Sequence, residues 1–308
     1  MSEALARAEA MIREACGERL RTAFPLAPLT TFRIGGPASL YLELASDRDL
    51  EVVGDAVRRT DLPVLVIGKG SNLLIADRGF AGIVLRLGRS FRWAARDGDR
   101  LSAGAATPLP ALAGVAMRQG LSGLEFGVAI PATLGGAVRM NAGAHGGEIA
   151  GIASSIEVFE LRTGKGRSIA GAEAGFGYRR SSLPAGTVVT GAALALTPAP
   201  DEQIRASMEG AREWRRQTQP LAEPNCGSVF TNPPGAHAAE LIEGAGAKGL
   251  SVGGASVSAK HANFIVTSAG ATAADVVELI QRVQAVVARR SGVRLETEVH
   301  MAGEFDRG

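Results

Sequence analysis

Cysteine is scarce: Cys16 and Cys226 are the whole complement, and they lie far apart. A disulfide framework is not expected, and no Cys/His spacing suits zinc. The four histidines, His145, His237, His261 and His300, are scattered, so no metal site is expected either. An excess of one charge is also missing. Lys and Arg number 33 against 31 Asp and Glu, a net +2 that gives no basis for a nucleic-acid or membrane-surface partner. Long apolar runs are missing too. The longest, VVTGAALAL, is too short to span a bilayer, so no membrane insertion is expected. The opening MSEALARAEAMIREAC carries charge throughout and has no apolar signal core, which points to a cytoplasmic protein. Aromatics make up only 5%, whereas glycine is abundant at 40 residues, a balance that predicts many tight turns and close backbone approaches. A chain of 308 residues has room for two or three domains with their own cores.

Periodicity supplies a coarse map. Residues 2–21 read as an amphipathic helix, broken by Pro25 and Pro28. SLYLELAS reads as a strand. DRDLEVVGDAVRR reads as a helix capped by Asp47, acidic at its start and basic at its end. PVLVIG and GIVLRL read as strands, and 80–105 as short strands and turns. PLPALAGVAMRQG reads as a helix with Thr107 as N-cap. Residues 121–151 are glycine-rich and irregular, with strands near 155–161 and 187–197. Beyond the Pro198–Pro200 boundary, DEQIRASMEGAREWRRQT places Ile204, Met208, Ala211 and Trp214 on one helical face. Helices over 236–244 and 272–290 flank the strand NFIVT, and VRLETEVHM reads as a last strand. The class is α+β with mixed sheets.

The stretch VIGKGSNLLI asks for a function. It is not a dinucleotide fingerprint, because no third glycine follows Gly68 and Gly70 in place and LLIADRGF is a poor helix start. It is not a P-loop, because Lys69 is followed by glycine. What remains is an anion nest of successive amides at Gly70, Ser71 and Asn72, with Lys69 adding positive charge. On the loop alone, a tight turn between buried strands fits equally well. A second stretch, LSGLEFGVAIPATLGGAVRMNAGAHGG, surrounds Thr133 and Asn141 with Gly135, Gly136 and Gly143, and Pro131 holds its entry. Much glycine and little charge suit a large, flat, partly polar ligand against backbone, or else a tightly packed irregular core. Two such loops together favour a dinucleotide.

Three polar segments are candidates for chemistry. In FGYRRSS, Arg179 beside Tyr178 could clamp a carboxylate bidentately, or form a solvated surface pair. In PNCGSVFTNP, Ser228 sits between Pro224 and Pro233 and could transfer a proton. The frame is not the G-x-S-x-G of a hydrolase elbow. Cys226 beside it reads as a buried small residue, with no partner histidine indicated. In LETEVHM, Glu296 and Glu298 share one face of an expected strand. That face is either solvated or places one glutamate in a pocket as a proton or hydrogen-bond donor.

Taken in order, TTFRIGGPA, VIGKGSNLLI, GLEFGVAIPATLGGAVRMNAGAHGGEI, FGYRRSSL, PNCGSVFTNP, SAKHANFIV and LETEV resemble the UDP-N-acetylenolpyruvoylglucosamine reductases, also called UDP-N-acetylmuramate dehydrogenases. Each motif is weak alone, but seven in order, from about residue 25 to the end, are specific. The resemblance implies a flavoprotein of peptidoglycan precursor synthesis, part of cell wall biogenesis. Tightly bound FAD takes a hydride from the co-substrate NADPH and passes it to the enolpyruvyl ether of UDP-N-acetylglucosamine enolpyruvate.

The implied fold is an FAD-binding domain of the vanillyl-alcohol-oxidase-like type in two lobes plus a smaller α+β substrate domain. The lobes are expected at 1–80 (joined by the C-terminal strand, about 297–308) and 81–198, with the substrate domain at 199–296. The resemblance assigns catalysis to Arg179, Ser228 and Glu298. It assigns the FAD pyrophosphate to Gly68, Lys69, Gly70, Ser71 and Asn72, and the rest of the flavin to the segment with Pro131, Thr133, Gly135, Gly136, Asn141 and Gly143. Tyr178, Asn232 and Lys260 fall at substrate-contacting positions. Thr231 stands where lysine is usual and His300 where arginine is frequent, departures that touch diphosphate contacts and not the chemistry. Only Tyr41 and Tyr178 are tyrosines, so the chain is similar to the shorter subtype that lacks a tyrosine-bearing substrate loop. Two rivals remain open: a same-fold FAD-dependent oxidase, and a non-catalytic flavin-binding protein. Against the first stand Ser228 and Glu298 in the reductase's own contexts; against the second, the presence of all three catalytic positions.

Overall fold

Apolar residues at helical spacing fold into α1 (Glu3–Cys16), α2 (Asp47–Thr60), α3 (Leu109–Arg118), α4 (Leu134–Arg139), α5 (Asp201–Thr218), α6 (Ala238–Gly244) and α7 (Ala273–Ser291). α1 stops short of the expected 2–21 because Leu20–Pro25 joins a sheet, and α4 forms within 121–151, where no helix was expected. The structure is a computed structural model and describes residues 2–305; the final residues of the expected C-terminal strand, 306–308, lie outside it. Helices and mostly antiparallel sheets make the α+β class. The chain divides into two compact units, one of residues 1–22, 39–69 and 82–214, the other of 23–38, 70–81 and 215–308.

The first unit holds two sheets. One runs in the order Leu20–Pro25, Pro37–Leu44, Phe80–Leu87, Val64–Val66, its last pair parallel. Ala8 and Ile12 of α1 and Leu50 and Val53 of α2 join Leu42 and Leu85 in its core. Ser46, not Asp47, occupies the N-cap position of α2. The carboxylate that serves the helix start is Asp49, which accepts from the Ala45 amide at 2.6 Å and from both ends of the Arg19 guanidinium. The second sheet is antiparallel, in the order Lys165–Ala170, Ala153–Glu160, Thr187–Ala195, Arg100–Gly104, Ala94–Asp97. Its core includes Leu112 of α3, Leu134 and Val138 of α4, and Ile204, Met208 and Ala211 of α5.

Two expectations fail locally in this unit. Trp214 is 47% exposed and not on the buried face of α5; it meets the His145 ring edge-on at 5.0 Å. Thr107 does not cap α3, because Pro108 takes the N-cap position and the Thr107 hydroxyl donates to the Trp93 carbonyl at 3.0 Å.

The second unit is built on an antiparallel sheet in the order Asn225–Ser228, Phe264–Thr267, Ala255–Val257, Ser251–Val252. Ile242 of α6 and Leu279, Ile280 and Val283 of α7 cover it, with Phe32, Leu74, Val229 and Phe230 in the same core. Leu73–Ile75 pairs in parallel with His300–Ala302. The N-terminus of α7 is satisfied twice over. Thr272 and Asp275 form a capping box, and both oxygens of Asp77 accept from Ala273 and Ala274 at 2.8 and 3.0 Å. The last strand is shorter than expected. Within 296–299 only Thr297 makes a bridge, to Phe230, before the ladder starts at His300.

The buried Asp49 carboxylate anchors the α1–α2 layer. Burial pushes its pKa up, but the Arg19 guanidinium and the Ala45 amide outweigh that and hold it below its ordinary value. A depressed pKa contributes stability above the unfolded-state value, and that contribution disappears as pH falls through the folded value. Asp49→Asn is therefore expected to destabilise the protein by about 1–3 kcal/mol at neutral pH. The difference from wild type should shrink below roughly pH 4. Denaturant melts across pH check this; a pH-independent difference would contradict it.

Candidate active site

In the second unit, the turn Gly70–Asn72 is shaped by packing. Gly70 has φ +61°, and a Cβ there would lie 2.2 Å from the Leu29 carbonyl oxygen, so only glycine fits. Its own carbonyl accepts from the Thr31 amide at 3.1 Å, which fixes the turn. Among the described residues, the amides of Gly70, Ser71 and Asn72 find no protein acceptor. Buried or half-buried donors in series, left unpaired by protein, have the chemistry of an anion nest. This donor set fits a pyrophosphate.

Asn72 ties that turn to the third candidate segment. Its side-chain amide donates to the Glu298 carbonyl at 3.1 Å, and its own carbonyl accepts from the His300 amide at 3.1 Å. Glu298 in turn donates its amide to the Val229 carbonyl at 2.7 Å, and Thr231 donates to the Glu296 carbonyl at 2.9 Å. The segments 229–231 and 296–298 thus run as a short antiparallel pair. Ser228 precedes that pair directly, at the end of its strand and opposite Phe264. A register shift between Asn225 and Ser228, with Gly227 at φ +80°, turns the chain just before it. Ser228 and Glu298 are both half-buried, while Glu296 is exposed, so the two glutamates do not share one environment.

Cys226, Asn232, Lys260 and Asn263 of this unit each have a protein hydrogen-bond partner. Cys226 is buried, and burial together with the Glu298 carboxylate pushes its thiol up, so it is not a nucleophile near neutrality. The Asn232 side-chain oxygen accepts from the Ala238 amide at 3.0 Å and so serves the start of α6. The Lys260 ammonium donates to the Arg216 carbonyl at 2.6 Å. Asn263, which the sequence did not single out, is buried and bonded through every polar group it has; the only signal for it was an asparagine opening the apolar run NFIVT.

In the first unit, Gly68 lies against Thr133: a Cβ on it would fall 2.5 Å from the Thr133 hydroxyl oxygen. Lys69 and Pro131 are exposed. The second glycine stretch spends much of its polarity on protein. Gly135 donates to the Ala105 carbonyl at 2.9 Å, Gly136 to the Thr133 hydroxyl at 3.4 Å, and Gly143 packs against Glu148 in a small hairpin. Asn141 is 1% exposed. It donates to the Gly177 carbonyl at 3.0 Å and accepts from the Ala150 amide at 2.8 Å.

The Gly177 carbonyl belongs to the turn that carries Tyr178 and Arg179. Gly177 and Arg180 exchange backbone bonds at 3.0 and 3.1 Å, leaving Tyr178 and Arg179 at the tip. Arg179 has φ +56°, a left-handed conformation that costs a non-glycine residue about 1–2 kcal/mol. Ser181 donates to the Arg139 carbonyl at 2.8 Å, so residues 139 and 141 together hold the strained tip in place. The Tyr178 ring is half exposed, with the Arg179 guanidinium 5.1 Å from its centroid.

Residues 38–170 match the family described as the FAD binding domain, and residues 219–302 match the C-terminal domain of UDP-N-acetylenolpyruvoylglucosamine reductase. The chain is 46% identical to the UDP-N-acetylenolpyruvoylglucosamine reductase of Anaeromyxobacter sp. (strain Fw109-5), over 95% of this chain and 91% of that protein. It is 44% identical to reductase 2 of Symbiobacterium thermophilum over 98% of both. The crystal structure of the Thermus caldophilus UDP-N-acetylenolpyruvylglucosamine reductase superimposes with a TM-score of 0.81 at 38% identity, covering 92% of this chain and all of that one. The chain belongs to the UDP-N-acetylenolpyruvoylglucosamine reductase family.

Proposed function

We infer that the chain catalyses the NADPH-dependent, FAD-mediated reduction of the enolpyruvyl ether of UDP-N-acetylglucosamine enolpyruvate to UDP-N-acetylmuramate. The observation that carries this is 46% identity to a reductase of that name along 95% of the chain. Among the described residues, no helix is long and apolar enough to cross a membrane. A cytoplasmic setting suits an enzyme that draws on NADPH.

FAD, when bound, would supply a hydride, drawn from NADPH, for the terminal carbon of the enolpyruvyl double bond. The chain's part is to hold the partners and manage charge and proton. The open amides of Gly70, Ser71 and Asn72 would hold the FAD pyrophosphate, with Lys69 adding charge, while Gly68 packs against Thr133. Pro131, Thr133, Gly135, Gly136, Asn141 and Gly143 form the flavin-side wall, the glycines and Asn141 chiefly by shaping backbone. As the hydride arrives, negative charge spreads onto the substrate carboxylate. Arg179 binds that carboxylate through its fork of donors, and a protonated Glu298 donates a further hydrogen bond. The Ser228 hydroxyl gives its proton to the carbon that bears the ether oxygen and recovers one from solvent. Tyr178, Asn232 and Lys260 are assigned to the nucleotide sugar. The strained backbone of Arg179 supports its role, since strain of this kind persists where function requires it.

Ser228→Ala is expected to retain FAD and to accept hydride from NADPH at the wild-type rate, while substrate turnover falls by about 10²–10³-fold. Stopped-flow reduction and steady-state rates check this, and normal turnover would remove Ser228 from its role. Gly70→Ala must displace the Leu29–Thr30 backbone or the turn itself. It is expected to weaken FAD retention by roughly tenfold or more, the equivalent of about 1.4 kcal/mol. Wild-type flavin content after dialysis of the variant would show that the turn does not hold the cofactor.

A further inference from the structure

The Asn263 side chain occupies an unusual position between two chain segments. It is 4% exposed, in the bend that precedes the strand Phe264–Thr267. Its Oδ1 accepts from the Phe230 amide at 2.9 Å, and its Nδ2 donates to the Phe230 carbonyl at 2.8 Å. A primary amide has the same donor and acceptor as a peptide group, so this pair reproduces one rung of an antiparallel ladder. The Asn263 backbone carbonyl adds a third bond, from the Val229 amide at 2.9 Å. The Asn263 amide itself donates to His261 Nδ1 at 3.3 Å. The true ladder between the strands ends at Ser228 opposite Phe264. One backbone bond continues past that point, from the Val229 amide to the Asn263 carbonyl, and the side chain of Asn263 then extends the pairing to Phe230.

What Asn263 grips is the stretch between the two reacting positions. Ser228 lies immediately before Val229, and the Val229 carbonyl accepts the Glu298 amide at 2.7 Å. Residues 229 and 230 therefore have Asn263 on one side and 297–298 on the other. Thermal wandering of this two-residue bridge would move the Ser228 hydroxyl relative to the Glu298 carboxylate. We propose that Asn263 is a positioning residue for the reduction, its buried amide fixing the backbone that sets Ser228 against Glu298. This rests on the reading of Ser228 and Glu298 given above. Asn263 touches neither proton nor hydride; it acts through Ser228 by holding the segment that carries it.

Asn263→Asp nearly preserves size and keeps an acceptor for the Phe230 amide, but it sets a carboxylate against the Phe230 carbonyl. Asn263→Ser is smaller and uncharged and loses the two-point grip. Both are compared with wild type and Ser228→Ala in two anaerobic half-reactions followed by flavin absorption: reduction by NADPH, and reoxidation by UDP-N-acetylglucosamine enolpyruvate. Flavin content and thermal midpoint are measured alongside.

Both Asn263 variants are expected to hold wild-type flavin and to be reduced at the wild-type rate. Their reoxidation is expected to slow by about 10²-fold, the usual consequence of misplacing a reacting group by an ångström. The solvent deuterium effect on reoxidation should rise in both, because proton delivery becomes limiting. Wild-type reoxidation in either folded variant, with Ser228→Ala impaired, overturns the positioning role alone. Unimpaired Ser228→Ala overturns the underlying reading and the proposal with it. Parallel loss of both half-reactions together with flavin, or failure of both variants to fold, marks Asn263 as a general structural residue and also overturns the proposal.

Discussion

One backbone hydrogen bond organises the second unit: the Glu298 amide to the Val229 carbonyl, 2.7 Å. It joins a segment near the C-terminus, which carries Glu298, to a loop far earlier in the chain that directly follows Ser228, the two side chains proposed above to act on the substrate. Neither is regular secondary structure. Residues 229–231 have left their strand, and 296–299 have not yet entered theirs. Such short irregular pairs are weak unless their remaining polar groups are satisfied. Here several of them are satisfied, by Asn263, by the Thr231–Glu296 bond and by the Asn72 side chain on the Glu298 carbonyl. The last of these is the most consequential, because the residue that holds Glu298 also belongs to the turn assigned to the FAD pyrophosphate.

Glycine serves two different ends in this chain. At Gly70 it allows a turn whose amides face no protein acceptor, which leaves donors for an anion. Between residues 133 and 143 it allows close packing, and there the amides and the Asn141 side chain are bonded within the protein. The first arrangement presents polarity and the second consumes it. The same contrast explains why Asn141 matters to a residue it does not neighbour in sequence: it braces the strained turn that carries Arg179.

Periodicity made α2, α5 and α7 legible, because each buries one face and carries acids at its start and bases at its end. Where a side chain had two uses, the sequence was silent. Thr107 looks like an N-cap and instead bonds the Trp93 carbonyl; Trp214 fits the apolar spacing of α5 and instead stays exposed beside His145. The alternation in LETEVHM suggested a full strand, but its partner there is the irregular segment 229–231 and not a neighbouring strand, so only a bridge forms. The motifs named Ser228 and Glu298, and their adjacency depends on long-range pairing that no local pattern encodes. Asn263 was invisible for a related reason. An asparagine before an apolar run reads as a turn residue, and its bonding to Phe230 appears only in three dimensions.

The central claim is that this chain moves hydride from NADPH to an enolpyruvyl ether. The most direct measurement is anaerobic NADPH consumption by the purified flavoprotein, with and without UDP-N-acetylglucosamine enolpyruvate. Sustained consumption only when the sugar nucleotide is present, with formation of UDP-N-acetylmuramate, is the predicted result. A flavin-containing protein whose NADPH consumption is indifferent to that substrate would contradict the account.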